Sequence, residues 1–110
     1  RDFAYSEDVA EGMILALHHG TESSFVNLGS GSGYSIRELV EALHSFIPFN
    51  YEFDTYRSGG FPRRIMDISL ARDTLGYEPQ TSLVEGLRKT WDWYVQNTDE
   101  HLKKMNYFKE

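Results

Sequence analysis

Apolar positions in the first part of the chain recur at helical spacing. Val9, Ala10, Met13, Ile14 and Leu17 share one face between Ser6 and Gly20, which predicts an amphipathic helix capped by Ser6 and stopped by Gly20. Glu7 and Asp8 in its first turn, and His18 and His19 in its last, match the helix dipole. A second stripe, Ile36, Leu39, Val40, Leu43, Phe46 and Ile47, follows a capping box at Ser35 and Glu38 and ends before Pro48. A short third helix runs from Asp67 or Ser69 to Gly76. A fourth opens on a second box, Ser82 to Glu85, with Leu83, Leu87, Trp91 and Tyr94 on its inner face and Trp93 at the edge. The period changes from helical to two along residues 49–54, where Phe49, Tyr51 and Phe53 alternate with Asn50, Glu52 and Asp54, as on a half-buried strand. Residues 1–5 and the apolar run from Phe25 to Leu28 also read as strands.

Strands alternating with helices predict an α/β fold, a small, mostly parallel sheet with packed helices and right-handed crossovers. Residues 1–98 form its body, and residues 99–110 a charged tail or last helix. With 110 residues the chain supports one domain, and its 40% hydrophobic content is that of a globular protein. It has no cysteine, so it forms no disulfide framework or thiolate metal site, and it shows neither a leader nor a membrane-length apolar run. These features fit a cytoplasmic setting. The start at Arg1, within a strand-like run, suggests a piece of a longer protein.

Charge alters this picture in one place. The formal net charge is -6, yet residues 57–72 carry Arg57, Arg63, Arg64 and Arg72 against Asp67 alone. A local cationic excess in an acidic chain points to a small anionic ligand and away from nucleic acid. Guanidinium forks match phosphate oxygens in pairs, and Gly59, Gly60 and Pro62 place Arg57, Arg63 and Arg64 on or beside a loop. A diphosphate clamp and a solvated basic surface paired with acidic neighbours both fit these residues. Asp67 either orients an arginine or caps the following helix.

Other chemistries find less support. Gly29-Ser30-Gly31-Ser32-Gly33 lies between a strand and a helix, with Asp54 beyond the next strand, and so imitates a dinucleotide-binding turn. The third glycine of that fingerprint should fall at 34, where the chain has Tyr34. No lysine with Ser or Thr follows the glycines, as a phosphate loop requires, and no Gly-x-Ser-x-Gly elbow is present. His18, His19, His44 and His101 are scattered, and adjacent helical residues diverge by about 100°, so no metal site is expected.

The run Arg1, Asp2, Phe3, Tyr5, Asp8, Val9, Ala10 resembles the start of the substrate-binding part of the extended short-chain dehydrogenases that act on nucleotide sugars, the NAD-dependent epimerase/dehydratase family. Asn27 to Gly31, Ser35 to Val40, Arg57 to Ser69, Leu75-Gly76-Tyr77-x-Pro79, Ser82 to Leu87 and Trp93-Tyr94 are similar in the same order. The Gly60-Phe61-Pro62-Arg63-Arg64-x-x-Asp67 pattern looks most like the GDP-L-fucose synthases, which use NADPH. The resemblance implies a carboxy-terminal portion that holds a nucleotide sugar, with a GDP-sugar favoured. It assigns Arg1, Arg57, Arg63 or Arg64 and Asp67 to substrate binding, and catalytic, cofactor-binding and metal residues to none of this chain. NAD(P) would be held mainly by an amino-terminal Rossmann domain that is also the expected partner. No tyrosine here has a lysine four residues on, so the catalytic Tyr-x-x-x-Lys pair is missing and the chain alone should be inactive. Ser6 and Phe61 depart from the family pattern. A reading from another class is a non-catalytic, self-associating interaction module, a homodimer built on the first helix and Trp93.

Overall fold

The computed structural model describes residues 1–20, 25–56 and 60–103. Five helices follow in order: α1 (Ser6–His19), α2 (Ile36–His44), α3 (Ser69–Leu75), α4 (Leu83–Gln96) and α5 (Thr98–Lys103). α1 packs on α3 and α2 on α4, with non-helical segments joining them. Among the described residues no helix is long and apolar enough to cross a membrane.

The helix signals are read correctly in outline and corrected in detail. The capping box at α2 forms completely: Glu38 N–H donates to Ser35 Oγ (3.1 Å) and Ser35 N–H to Glu38 Oε2 (2.7 Å). At α4 only half of the box forms. Ser82 Oγ accepts from Glu85 N–H (3.3 Å), while the Glu85 carboxylate turns outward to Lys89 at 2.9 Å. Ser6 is the first residue of α1 and not its cap. Tyr5 occupies the cap position without a side-chain hydrogen bond. Gly76 closes α3 in the left-handed region (φ +66°), and Tyr77 N–H returns to the Ala71 carbonyl. That reversal turns Tyr77 into the core.

The core is small. Ile68, Ala71, Leu75 and Tyr77 are buried, with Leu15, Ala16, Val26 and Leu28 packed around them. Gly12 lets α1 approach closely, since a Cβ there would lie 2.8 Å from Leu28 and 2.9 Å from the Tyr77 ring. The Tyr77 hydroxyl donates to the Gly29 carbonyl (2.9 Å) inside this cluster. The expected buried stripes of α2 and α4 are not buried. No residue of α2 is, and Trp91 and Tyr94 stack on each other at the surface (5.7 Å) instead of entering a core.

No strand, and hence no small parallel sheet, forms among the described residues. Residues 1–5, 25–28 and 63–68 lie outside any regular element, and the groups that would build a ladder are engaged otherwise. The Asp2 carboxylate accepts from Ser30 N–H (2.9 Å), Gly31 N–H (3.1 Å) and Met66 N–H (3.1 Å), the very donors that a neighbouring strand would use. Isolated backbone bonds remain, from Asp2 N–H to Arg64 O (3.2 Å) and between Arg1 and Tyr34, which exchange both of theirs. The period of two at 49–53 is real without a sheet. Phe49, Tyr51 and Phe53 line up one after another (5.8 and 5.4 Å), His44 of α2 meets the first two edge-on, and Arg37 covers the third at 4.3 Å.

Candidate functional site

After Pro62 the two adjacent arginines line different spaces. Arg63 lines an open cleft of about 830 Å³ with Arg1, Tyr34, Ser35, Ile36 and Phe61, within the size range of small-molecule sites. Arg64 lines a different, smaller hollow beside Asp2, Leu28 and Met66, and its guanidinium lies 5.2 Å from the Phe61 ring. Arg1 borders both spaces and donates from Nη1 to the Phe61 carbonyl (2.7 Å), which pins the loop over the cleft. Among the described residues none pairs with the Arg63 guanidinium. Arg57 lies outside the described residues.

The start of α2 opens on the same cleft, and a helix start carries partial positive charge. Glu38 offsets part of it. Its carboxylate accepts from the Ser35 backbone and hydroxyl, and those bonds hold its pKa below the ordinary value. The net positive field therefore rests on Arg1 and Arg63. Asp67 stands apart from the cleft. Its Oδ1 accepts from Ser69 Oγ–H (2.6 Å) and Ser69 N–H (3.0 Å), which lower its pKa, so the carboxylate shapes the entry to α3 and orients no arginine among the described residues. Arg72 is likewise engaged, in a two-pronged pair with Glu78 (2.7 and 2.8 Å).

The glycine turn before α2 does not fit a dinucleotide. Two of the amides that could cradle a phosphate, those of Ser30 and Gly31, already face the Asp2 carboxylate. Its glycines answer to packing: a Cβ at Gly29 would meet Met66, one at Gly31 (φ +68°) Ile68, and one at Gly33 Ile65.

Sequence reasoning missed the two aspartates that hold this region together. Asp2 also accepts from Ser30 Oγ (2.6 Å). Burial alone would raise its pKa, but the Ser30 side-chain and backbone bonds, with those from Met66 and Gly31, carry it below the ordinary value. Buried Asp8 accepts from Thr81 N–H (3.0 Å) and Thr81 Oγ1 (3.1 Å) and fastens α1 to the entry of α4. The signal available for Asp2 was the turn itself, a run of small residues with free amides that needs an anion and can take it from its own chain.

Comparison with known proteins agrees with this architecture. Residues 1–90 match the family described as GDP-mannose 4,6 dehydratase. Probable GDP-L-fucose synthase 1 of Oryza sativa subsp. japonica is 35% identical over 99 residues, covering 88% of this chain and 30% of that protein. The UDP-glucose 4-epimerase of Rhizobium leguminosarum bv. trifolii is 33% identical, covering 88% of this chain and 31% of its own length. Among solved structures, the Bordetella bronchiseptica enzyme WbmF in complex with NAD+ and UDP superposes with a TM-score of 0.77 at 32% identity, over 91% of this chain and 31% of that one. WbmF is an α/β enzyme of the short-chain dehydrogenase fold. The chain thus spans about 30% of the length of the curated relatives it matches. With the match running from Arg1 through the arginine loop to the first half of α4, the chain belongs to the GDP-mannose 4,6 dehydratase family.

Proposed function

We propose that this chain is the nucleotide-sugar-binding, carboxy-terminal portion of an NAD(P)-dependent epimerase, dehydratase or reductase, of the GDP-L-fucose synthase kind. The observation that carries this reading is the cleft that brings Arg1 and Arg63 together over the start of α2. Two guanidinium groups on one open cleft supply charge-assisted donors to a diphosphate from two sides. Phe61, Tyr34 and Ile36 add flat and apolar wall, which suits the uncharged parts of a sugar nucleotide. Arg57, close in sequence to this loop, is assigned to the same anion by the family resemblance alone. Arg64, stacked against Phe61, shapes the wall. In this reading the chain contributes binding and orientation, and the hydride chemistry falls to an NAD(P)-holding Rossmann portion.

Titration of the chain with GDP, UDP and dTDP, read residue by residue from amide shifts, tests the site. Shifts centred on Arg1, Tyr34 and Phe61 to Arg64, largest with GDP, are the expected result. Larger shifts with UDP keep the site and move the substrate toward that of the UDP-bound relative. Arg63→Ala should weaken nucleoside diphosphate binding by about 1.5–3 kcal/mol, the value of a hydrogen bond from a charged group. Affinity equal to the parent's in both Arg1→Ala and Arg63→Ala chains refutes the clamp.

A further inference from the structure

We infer that Asp2 is the positioning residue of the anion cleft. Its carboxylate joins the two walls without lining them, and so fixes the spacing at which Arg1 and Arg63 meet a diphosphate. This deepens the reading above and rests on it. One wall is residues 33–36, from the glycine turn into α2, and the other is residues 60–63 with residue 65. The walls come from distant parts of the chain and touch at Gly33, where a Cβ would collide with the Ile65 side chain. An apolar contact of this kind brings the walls together but is not directional.

Direction comes from Asp2. A single oxygen, Oδ2, accepts from Gly31 N–H (3.1 Å), two residues ahead of the first wall, and from Met66 N–H (3.1 Å), directly after the second. The other oxygen accepts from Ser30 N–H (2.9 Å) and Ser30 Oγ (2.6 Å), which keeps the carboxylate from rotating. Asp2 N–H donates in turn to the carbonyl of Arg64, the neighbour of Arg63 (3.2 Å). All but one of these bonds are to backbone, so they place the chain itself. Arg1 also spans the cleft. Its carbonyl accepts from Tyr34 N–H (2.9 Å), and its Nη1 donates to the Phe61 carbonyl (2.7 Å). Its guanidinium, however, is a group that the anion itself engages. Asp2 borders the smaller hollow beside Arg64 and not the cleft, so a ligand leaves its bonds in place.

Charge and position make opposite predictions for this residue. A carboxylate next to Arg1 repels an incoming anion, so by Coulomb's law alone its removal tightens binding. Removal of a positioning residue loosens it. Inorganic pyrophosphate is the probe, since it reports the two-sided hold without base or sugar. Titration at low salt, followed by amide shifts, should show Asp2→Ala binding about tenfold more weakly than the parent, as when one hydrogen bond from a guanidinium is lost. Thr81→Val loosens the other aspartate clasp, at Asp8, and should leave the affinity unchanged. Arg63→Ala, about tenfold weaker than the parent, should cost less than about threefold when residue 2 is already alanine, because coupled losses do not add. The parent alone gives a second reading should Asp2→Ala not fold. Saturating pyrophosphate should slow hydrogen exchange at the Gly31 and Met66 amides several-fold, by the reciprocity of coupled equilibria. Equal or tighter binding in Asp2→Ala, an equal loss in Thr81→Val, additive losses with Arg63→Ala, or exchange that pyrophosphate does not alter each overturn the inference while the clamp stands. Should Arg63→Ala bind pyrophosphate as tightly as the parent, the clamp itself is refuted, and Asp2 has nothing there to position.

Discussion

The two helix pairs are held by different physics. α1 and α3 enclose a core of side chains, Ile68, Ala71, Leu75 and Tyr77, and a buried hydrogen bond from Tyr77, with less buried ones to Asp8 and Asp2, ties distant parts of the chain to it. α2 and α4 rest on each other without a fully buried large side chain, leaving a groove of about 290 Å³ bounded by Phe3, Leu39, Leu83 and Leu87. One region is determined by tertiary contact and the other by local helix signals. The anion cleft straddles them, since Arg1 and Arg63 belong to the first and Ser35 and Ile36 to the second. The site's geometry is therefore only as good as the joint between a firm half and a soft one.

The sharpest way to break this contrast is to truncate one large side chain in each half. Tyr77→Ala removes the most buried ring and strands the Gly29 carbonyl, and should cost about 3–5 kcal/mol in urea unfolding. Leu39→Ala in the groove should cost about 1 kcal/mol, because that side chain is half exposed and its loss opens no closed cavity. Equal costs would show that the α2–α4 pair is as well packed as the core.

Asp2 is the next test, at about 2–3 kcal/mol for Asp2→Ala, the cost of leaving the amides of Ser30, Gly31 and Met66 without their acceptor. It has a pH signature. The folded pKa lies below that of the unfolded chain, so the carboxylate's contribution is fully present above the unfolded pKa and is lost as pH falls through the folded one. Unfolding measured between neutral pH and acid should show the parent losing stability over that acid window relative to Asp2→Asn. Parallel curves for the two would remove Asp2 as the clasp.

These contrasts mark what the chain's pattern could tell. Helix starts and stops were legible wherever a local rule governs them, as at Ser35 with Glu38 and at Gly76. The period of two at Phe49, Tyr51 and Phe53 was legible too, but the partner was not: the pattern specifies a face, and here α2 covers it in place of a strand. The stripes on α2 and α4 were read as core because periodicity reports that a face is meant to be buried, not by what. Of the site, the arginine loop was visible from charge. Its division, with Arg63 on the cleft and Arg64 on the smaller hollow beside Asp2, depends on the local backbone path after Pro62, which charge does not report. The clasps at Asp2 and Asp8 join residues 28, 64 and 73 positions apart, a distance over which no local pattern carries information.

The smallest expected effect separates the two caps within the soft half. Ser35→Ala abolishes a complete box and should cost about 1 kcal/mol, whereas Ser82→Ala removes one long bond and should cost about half of that. Stability alone barely resolves the two, but exchange and binding do. Without its box, the first turn of α2 has little tertiary packing to hold it, so its amides should exchange faster with solvent than those of α4 in Ser82→Ala. Ser35 and Ile36 border the cleft, so the same change should weaken GDP binding, while Ser82→Ala leaves it intact. If Ser35→Ala speeds exchange without touching affinity, the start of α2 is only the floor of the cleft, and Arg1 and Arg63 hold the anion from the firm half alone.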